Sequence, residues 1–201
     1  MENTATRLDD TRNQIMAAAE ARFRTYGFTK TTMVEIAEDV GMSAANLYRY
    51  FENKQDIAAV CASRCMSAQI DLLRDVTQQP GPAAGERLES LVLTMLRHTH
   101  EQASEYPKID ELVEIIAKER QQLVHEKNTT IRKFIAEILT QGNNSGEFDV
   151  ADVEDTAHAV YSAIALFGIP LFMSLYALDE FEQRVKSVVE LLIRGLATRP
   201  G

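Results

Sequence analysis

Twelve consecutive residues, Ser43 to Lys54, carry a serine, an amide at Asn46, phenols at Tyr48 and Tyr50, a guanidinium at Arg49 and an ammonium at Lys54. Each can donate hydrogen bonds to phosphate oxygens, and Arg49 can also meet the acceptor edge of guanine. Ala44 and Ala45 are small enough to bring a helix close to base edges, with thymine-methyl contact as one readout. This is recognition chemistry rather than bond-making. The chain shows no nucleophile-base-orienter set, phosphate loop or HExxH-like pair, so it reads as no enzyme and as needing no cofactor. His98 and His100 stand two apart and would point about 200° away from each other on a helix, so they cannot chelate together. With His125 and His158 they read as surface or pocket histidines, and no metal site is expected. Cys61 and Cys65 share one helix face at i,i+4; core filler is the ordinary reading, redox sensing or metal binding the alternative.

Such side chains act together only if short helices aim them. Thr32 and Glu35 form a capping box opening a helix with Met33, Ile36, Ala37 and Val40 on one face, and Gly41 closes it. Ser43 can cap the next helix, with Ala44, Leu47 and Phe51 facing inward and Ala45, Asn46, Tyr48, Arg49 and Tyr50 outward. Behind them, Thr11 as N-cap with Gln14 starts a helix whose stripe is Ile15, Ala19, Phe23 and Tyr26, ended at Gly27 and Phe28. Two short helices joined through a glycine turn and backed by a third make a helix-turn-helix, whose second helix lies in the major groove. The helix starts at Thr32 and Lys54 direct backbone amides at anions.

The rest of the chain also reads as helical, which makes the protein all-α. Asn53 and Asp56 start a helix to about Gln78, nearly 40 Å long at ~1.5 Å per residue. The breaker QQPGPAAG follows, then helices over about Glu86 to His100, Ile109 to Thr140, Asp152 or Asp155 to Tyr176, and Asp179 to Ala197. The expected domains are a DNA-binding unit, 1–56, and a helical unit, 57–201. The net charge of −9 excludes a protein that coats nucleic acid by bulk charge. Through Lys54 there are seven basic and eight acidic residues, so the remainder carries −8 and any DNA site depends on placed contacts. The opening MENTATRLDDTRNQ lacks an apolar signal region, from which a cytoplasmic location is expected.

The segment TTMVEIAEDVGMSAANLYRYFENKQDI, Thr31 to Ile57, resembles the DNA-binding signature of the TetR/AcrR family of bacterial regulators. The likeness is carried by Thr31-Thr32, Ile36-Ala37, Gly41, Ser43, Leu47-Tyr48-x-Tyr50-Phe51 and Lys54. Ala18-Ala19, Phe23 and Gly27-Phe28 fit the family's first helix. The resemblance implies about nine helices: an N-terminal three-helix DNA-binding domain and a C-terminal helical ligand-binding and dimerisation domain. It also implies a homodimer on a palindromic double-stranded operator, acting as a repressor released by a small-molecule effector. Position by position, Thr32, Ser43, Ala44, Ala45, Tyr48, Tyr50 and Lys54 become DNA contacts, beside Asn46 and Arg49 from the residues themselves. Many relatives have lysine where this chain has Ala44, which leaves Arg49 and Lys54 as the cations of the motif's second half.

No formal charge occurs from 159 to 178. A membrane span is thinkable at that length, but Gly168, Pro170, two serines and two tyrosines dilute it, so a helix buried on several sides is expected and no membrane contact. This segment and the last helix, about 152–176 and 179–197, are the expected dimer interface. Arg64 and Arg120 interrupt inward-facing stripes and could pair with an anionic ligand, with ordinary ion pairing as the alternative. Met95, Tyr161 and Phe167 could line an apolar ligand cavity or fill a core. A second functional reading is a DNA-bound dimer of the same fold that recruits a protein partner and has no effector.

Overall fold

Between Glu2 and Gly27 the sequence has no glycine or proline, and the first helix, α1 (Glu2–Tyr26), runs the whole distance in the computed structural model, which describes residues 2–106 and 108–198. Thr11 therefore lies inside α1 and does not cap it. Then come α2 (Met33–Asp39), α3 (Ala44–Leu47), α4 (Lys54–Gln78), α5 (Ala84–Glu105), α6 (Ile109–Glu119), α7 (Gln121–Ser145), α8 (Val153–Ile164) and α9 (Leu178–Leu196). The protein is all-α, with nine α-helices among the described residues.

The chain gathers into two compact units, Met1–Cys65 with Ser104–Val124, and Met66–Ala103 with His125–Gly201. The first unit thus extends past residue 56, because the first turns of α4 and the separate helix α6 supply part of its core. Ile15, Ala19 and Phe23 of α1, Ile36 and Ala37 of α2, Leu47, Phe51, Ile57 and Cys61 are buried together, with Leu112 and Ile115 of α6 packed against them. Met16 joins this core and Tyr26 stays exposed, a small rotation of the expected α1 stripe. Burial and the neighbouring Glu20 carboxylate push the Cys61 thiol up to about 12, so it stays protonated and serves as core.

The expected single helix from Ile109 to Thr140 is two helices, broken at Arg120 (φ −135°, ψ 42°). No glycine or proline marks the break. Arg120 instead reaches Asp56 on α4 at 2.6 Å, a tertiary pairing that outweighs local helix propensity. The helix expected to reach Tyr176 ends at Ile164 and is followed by 3-10 turns at Ala165–Gly168 and Pro170–Phe172. Pro170 explains the second turn: the residue before a proline is pushed out of the α region, and Ile169 is extended (φ −110°, ψ 113°).

In the second unit, Leu88, Leu91, Val92, Met95 and Leu96 of α5 pack with Ile131, Phe134 and Ile135 of α7, Val160 and Ile164 of α8, and Phe181, Val185 and Val189 of α9. The α5 N-terminus is held by the Glu147 carboxylate, which accepts the N–H groups of Ala84 (2.7 Å) and Gly85 (2.8 Å). Among the described residues, no helix is long and apolar enough to cross a membrane, and no group of three or more His, Cys, Asp or Glu is placed to hold a metal ion.

Candidate nucleic-acid interface

The Thr32 hydroxyl accepts the Glu35 N–H at 3.3 Å, and the Glu35 carboxylate accepts both the N–H and the hydroxyl of Thr32 at 2.8 Å. These bonds satisfy the free amides that start α2, and they hold the Glu35 carboxyl below its ordinary pKa. Arg22 on α1 braces the same helix from behind, donating to Asp39 at 2.5 and 2.9 Å and lying 3.3 Å from Glu35. Its bidentate grip lowers the Asp39 pKa. The helix ends in a Schellman motif: the Gly41 N–H donates to Glu38 O and the Met42 N–H to Ala37 O, at 3.0 and 2.9 Å. Gly41 is at φ +67°, where a side chain would be strained.

The next residue but one, Ser43, caps α3 by accepting the Asn46 N–H at 3.3 Å. Only Ala44–Leu47 is regular helix; the chain continues through Tyr48 to Phe51 by turn bonds, including Tyr50 N–H to Leu47 O at 2.9 Å. Leu47 and Phe51 are buried, which leaves Ser43, Ala45, Tyr48 and Arg49 exposed and Ala44, Asn46 and Tyr50 half-buried. Tyr48 is 52% exposed, a large ring held in solvent next to a cation. The far end of this segment is tied to α1 by Arg12, which donates to Tyr50 O at 3.1 Å and stacks 4.2 Å from the Phe51 ring centre.

Lys54 is placed differently from the rest of the expected contacts. Its ammonium donates to the carbonyls of Phe28 (2.6 Å) and Thr31 (2.7 Å) and lies 4.2 Å from the centre of the Phe28 ring. Burial lowers its pKa, partly countered by Glu111 and Glu35. Arg12 and Arg22 hold these helices in place in a way that side-chain type alone did not reveal; the i,i+13 and i,i+17 reach of Arg22 to α2 has no periodic signature.

The expected ligand residues do not fall in one unit. Arg64 donates to Asn13 at 2.5 Å and Arg120 pairs with Asp56, both within the first unit. Met95 and Phe167 are buried in the second unit's core, and Tyr161 packs against it.

A capped pair of short helices closed by a left-handed glycine, with α1 behind and an exposed Tyr-Arg edge on the second helix, defines a helix-turn-helix DNA-binding regulator. The chain belongs to the TetR family: residues 15–61 match the model described as bacterial regulatory proteins, tetR family, and residues 84–189 match tetracyclin repressor-like, C-terminal domain. It is similar to the HTH-type transcriptional repressor KstR2 of Mycobacterium tuberculosis, 24% identical over 151 residues that cover 74% of each chain. The solved structure of a TetR-family regulator from Mesorhizobium loti has a TM-score of 0.76 at 21% identity, covering 96% of this chain and 99% of that one. SmeT, the repressor of the Stenotrophomonas maltophilia multidrug efflux pump SmeDEF, solved with triclosan, has a TM-score of 0.66 at 18% identity, covering 94% and 92%.

Proposed function

We propose that this protein is a cytoplasmic repressor that binds a palindromic operator as a homodimer and is released by a small-molecule effector. The observation that carries the DNA-binding part is the exposed edge of Ser43, Ala45, Tyr48 and Arg49 on a braced α3. Tyr48, Arg49 and Ser43 bind phosphates; Ala45 and Asn46 face base edges, with the half-buried Ala44 small enough beside them to let the helix approach; Thr32 and Tyr50 add hydroxyls at the margins. Support for the dimer comes from the segment around α8 and α9, where Leu171, Leu175 and Leu191 are exposed, the last at 71%. Apolar side chains standing in solvent on adjoining elements suit a second copy with the same face.

Support for an effector comes from the named relatives, one a ketosteroid regulator and one solved with triclosan. Its site lies in the second unit, with Met95, Tyr161 and Phe167 against it. Arg64 and Arg120 are engaged within the first unit, which leaves Met95, Tyr161 and Phe167 as the residues assigned to it. The test is selection of duplexes from a random-sequence pool by the purified protein. A palindrome with half-sites about one helical turn apart supports the reading, and enrichment of no sequence overturns it.

A further inference from the structure

The turn joining α1 to α2 is gripped from two sides. From the first residue of α4, Lys54 Nζ is bound by the carbonyls of Phe28, Thr31 and, at 3.5 Å, Thr29. From the first turn of α6, the Glu111 carboxylate accepts the Thr29 N–H at 2.7 Å. Lys108 completes that side, donating to Tyr26 O at 3.2 Å and lying 3.8 Å from Glu111. One brace takes the carbonyls of the turn and the other takes an amide, so the peptide planes are held by groups of opposite charge.

Gly27 makes the approach possible. It sits at φ +86°, and a Cβ there would stand 2.5 Å from Lys108 Cδ and 2.9 Å from both Glu111 carboxylate oxygens. The Thr29 bond, ahead of the nearby lysines, lowers the Glu111 pKa, which keeps the acceptor ionised at neutral pH. The turn leads directly into the N-cap of α2: Thr31 is buried, its hydroxyl donating to Gly27 O at 2.8 Å, and Thr32 is the cap. Ile36 and Ala37 of α2 share a core with Leu47 of α3, so the exposed edge of α3 takes its direction from this turn.

We propose that Glu111 is a positioning residue for DNA binding, fixing from α6, against Lys54 on α4, the α1–α2 turn that aims the helix-turn-helix. Glu111 lies far outside residues 15–61, the span of the DNA-binding family model. The proposal rests on the DNA-binding reading of the α3 edge.

The test compares Glu111→Ala with Glu111→Gln, using a duplex selected by the wild type from a random pool, a scrambled duplex, and amide exchange at Thr29. Glu111→Ala loses the acceptor, and we expect about tenfold weaker binding to the selected duplex, the size expected for a lost charge-assisted bond. Binding to the scrambled duplex stays within about twofold, since the phosphate-neutralising cations are untouched, and Thr29 exchanges faster. Glu111→Gln keeps an acceptor and restores most of the affinity and the protection. Equal binding by wild type and Glu111→Ala overturns the proposal, as does a Gln variant that protects Thr29 yet binds as weakly as Ala. If Glu111→Ala fails to fold by circular dichroism, Glu111→Asp, one methylene short of Thr29, takes its place with the same expected outcome. A wild type that selects no duplex overturns both this proposal and the DNA-binding reading, whereas a selected duplex bound equally by all variants overturns the positioning role alone.

Discussion

Tyr48 and Arg49 stand in solvent at the end of a four-residue helix, with no burial gain to explain the ring. Their role is tested one atom group at a time. Arg49→Ala should weaken binding to selected and scrambled duplexes alike and flatten the salt dependence by about one unit of slope, as expected for one phosphate contact. Tyr48→Phe, which removes only a hydroxyl, should weaken both in the same proportion, while substitutions at Ala44 or Ala45 should alter which sequence is selected. Titrations by fluorescence anisotropy over a salt series separate these outcomes. Lys54 belongs to a different class. Its ammonium is engaged by three backbone carbonyls, so Lys54→Ala should lower the thermal midpoint as well as DNA affinity, a pairing that a surface phosphate contact would not show.

At the scale of elements, α2 depends on its two ends. Thr32→Ala removes the reciprocal cap and should cost about 1 kcal/mol in urea unfolding, and Gly41→Ala should cost a similar amount, roughly 1 kcal/mol, through strain at positive φ. The caps at Thr32, Ser43 and Asn53 were legible in the sequence because their bonds span three residues, Thr32 to Glu35, Ser43 to Asn46 and Asn53 to Asp56; of the two candidate starts of α8, Asp152 is the one that caps, accepting the Asp155 N–H. What was not legible came from partners distant in sequence. The break at Arg120 depends on Asp56, 64 residues away, and the brace on the α1–α2 turn depends on Glu111, 82 residues from Thr29. Pro170 was visible, but the uninterrupted apolar run around it suggested a longer helix than the backbone permits. The residues proposed to contact DNA were readable as types on one short helix, whereas Arg12 and Arg22 became recognisable only through what they touch.

For the whole molecule, the charge distribution and the exposed leucines carry the consequences. Glu35, Asp39, Glu111 and Glu182 all have pKa values lowered by hydrogen bonds in the fold. A carboxylate with a depressed folded pKa binds more protons when unfolded, so its contribution is fully present above the ordinary values, 4.5 for Glu and 3.8 for Asp, and is lost as pH falls through the folded ones. Urea midpoints should therefore hold from pH 7 down to about 5 and then fall. If the proposed dimer forms through this face, Leu171→Glu with Leu175→Glu should yield monomers in sedimentation equilibrium and weaken binding to a palindrome to that of a single half-site. With a near-neutral DNA-binding segment on an acidic chain, placed contacts, doubled by symmetry in the proposed dimer, must supply what bulk charge does not. The direct measurement is equilibrium binding at ~150 mM salt to a duplex selected by the protein and to its scrambled counterpart. A preference of at least about 1,000-fold for the selected duplex is expected, with Arg49→Ala and Tyr48→Phe together weakening both affinities and leaving that ratio nearly unchanged; equal affinity of the wild type for the two duplexes is the opposite result.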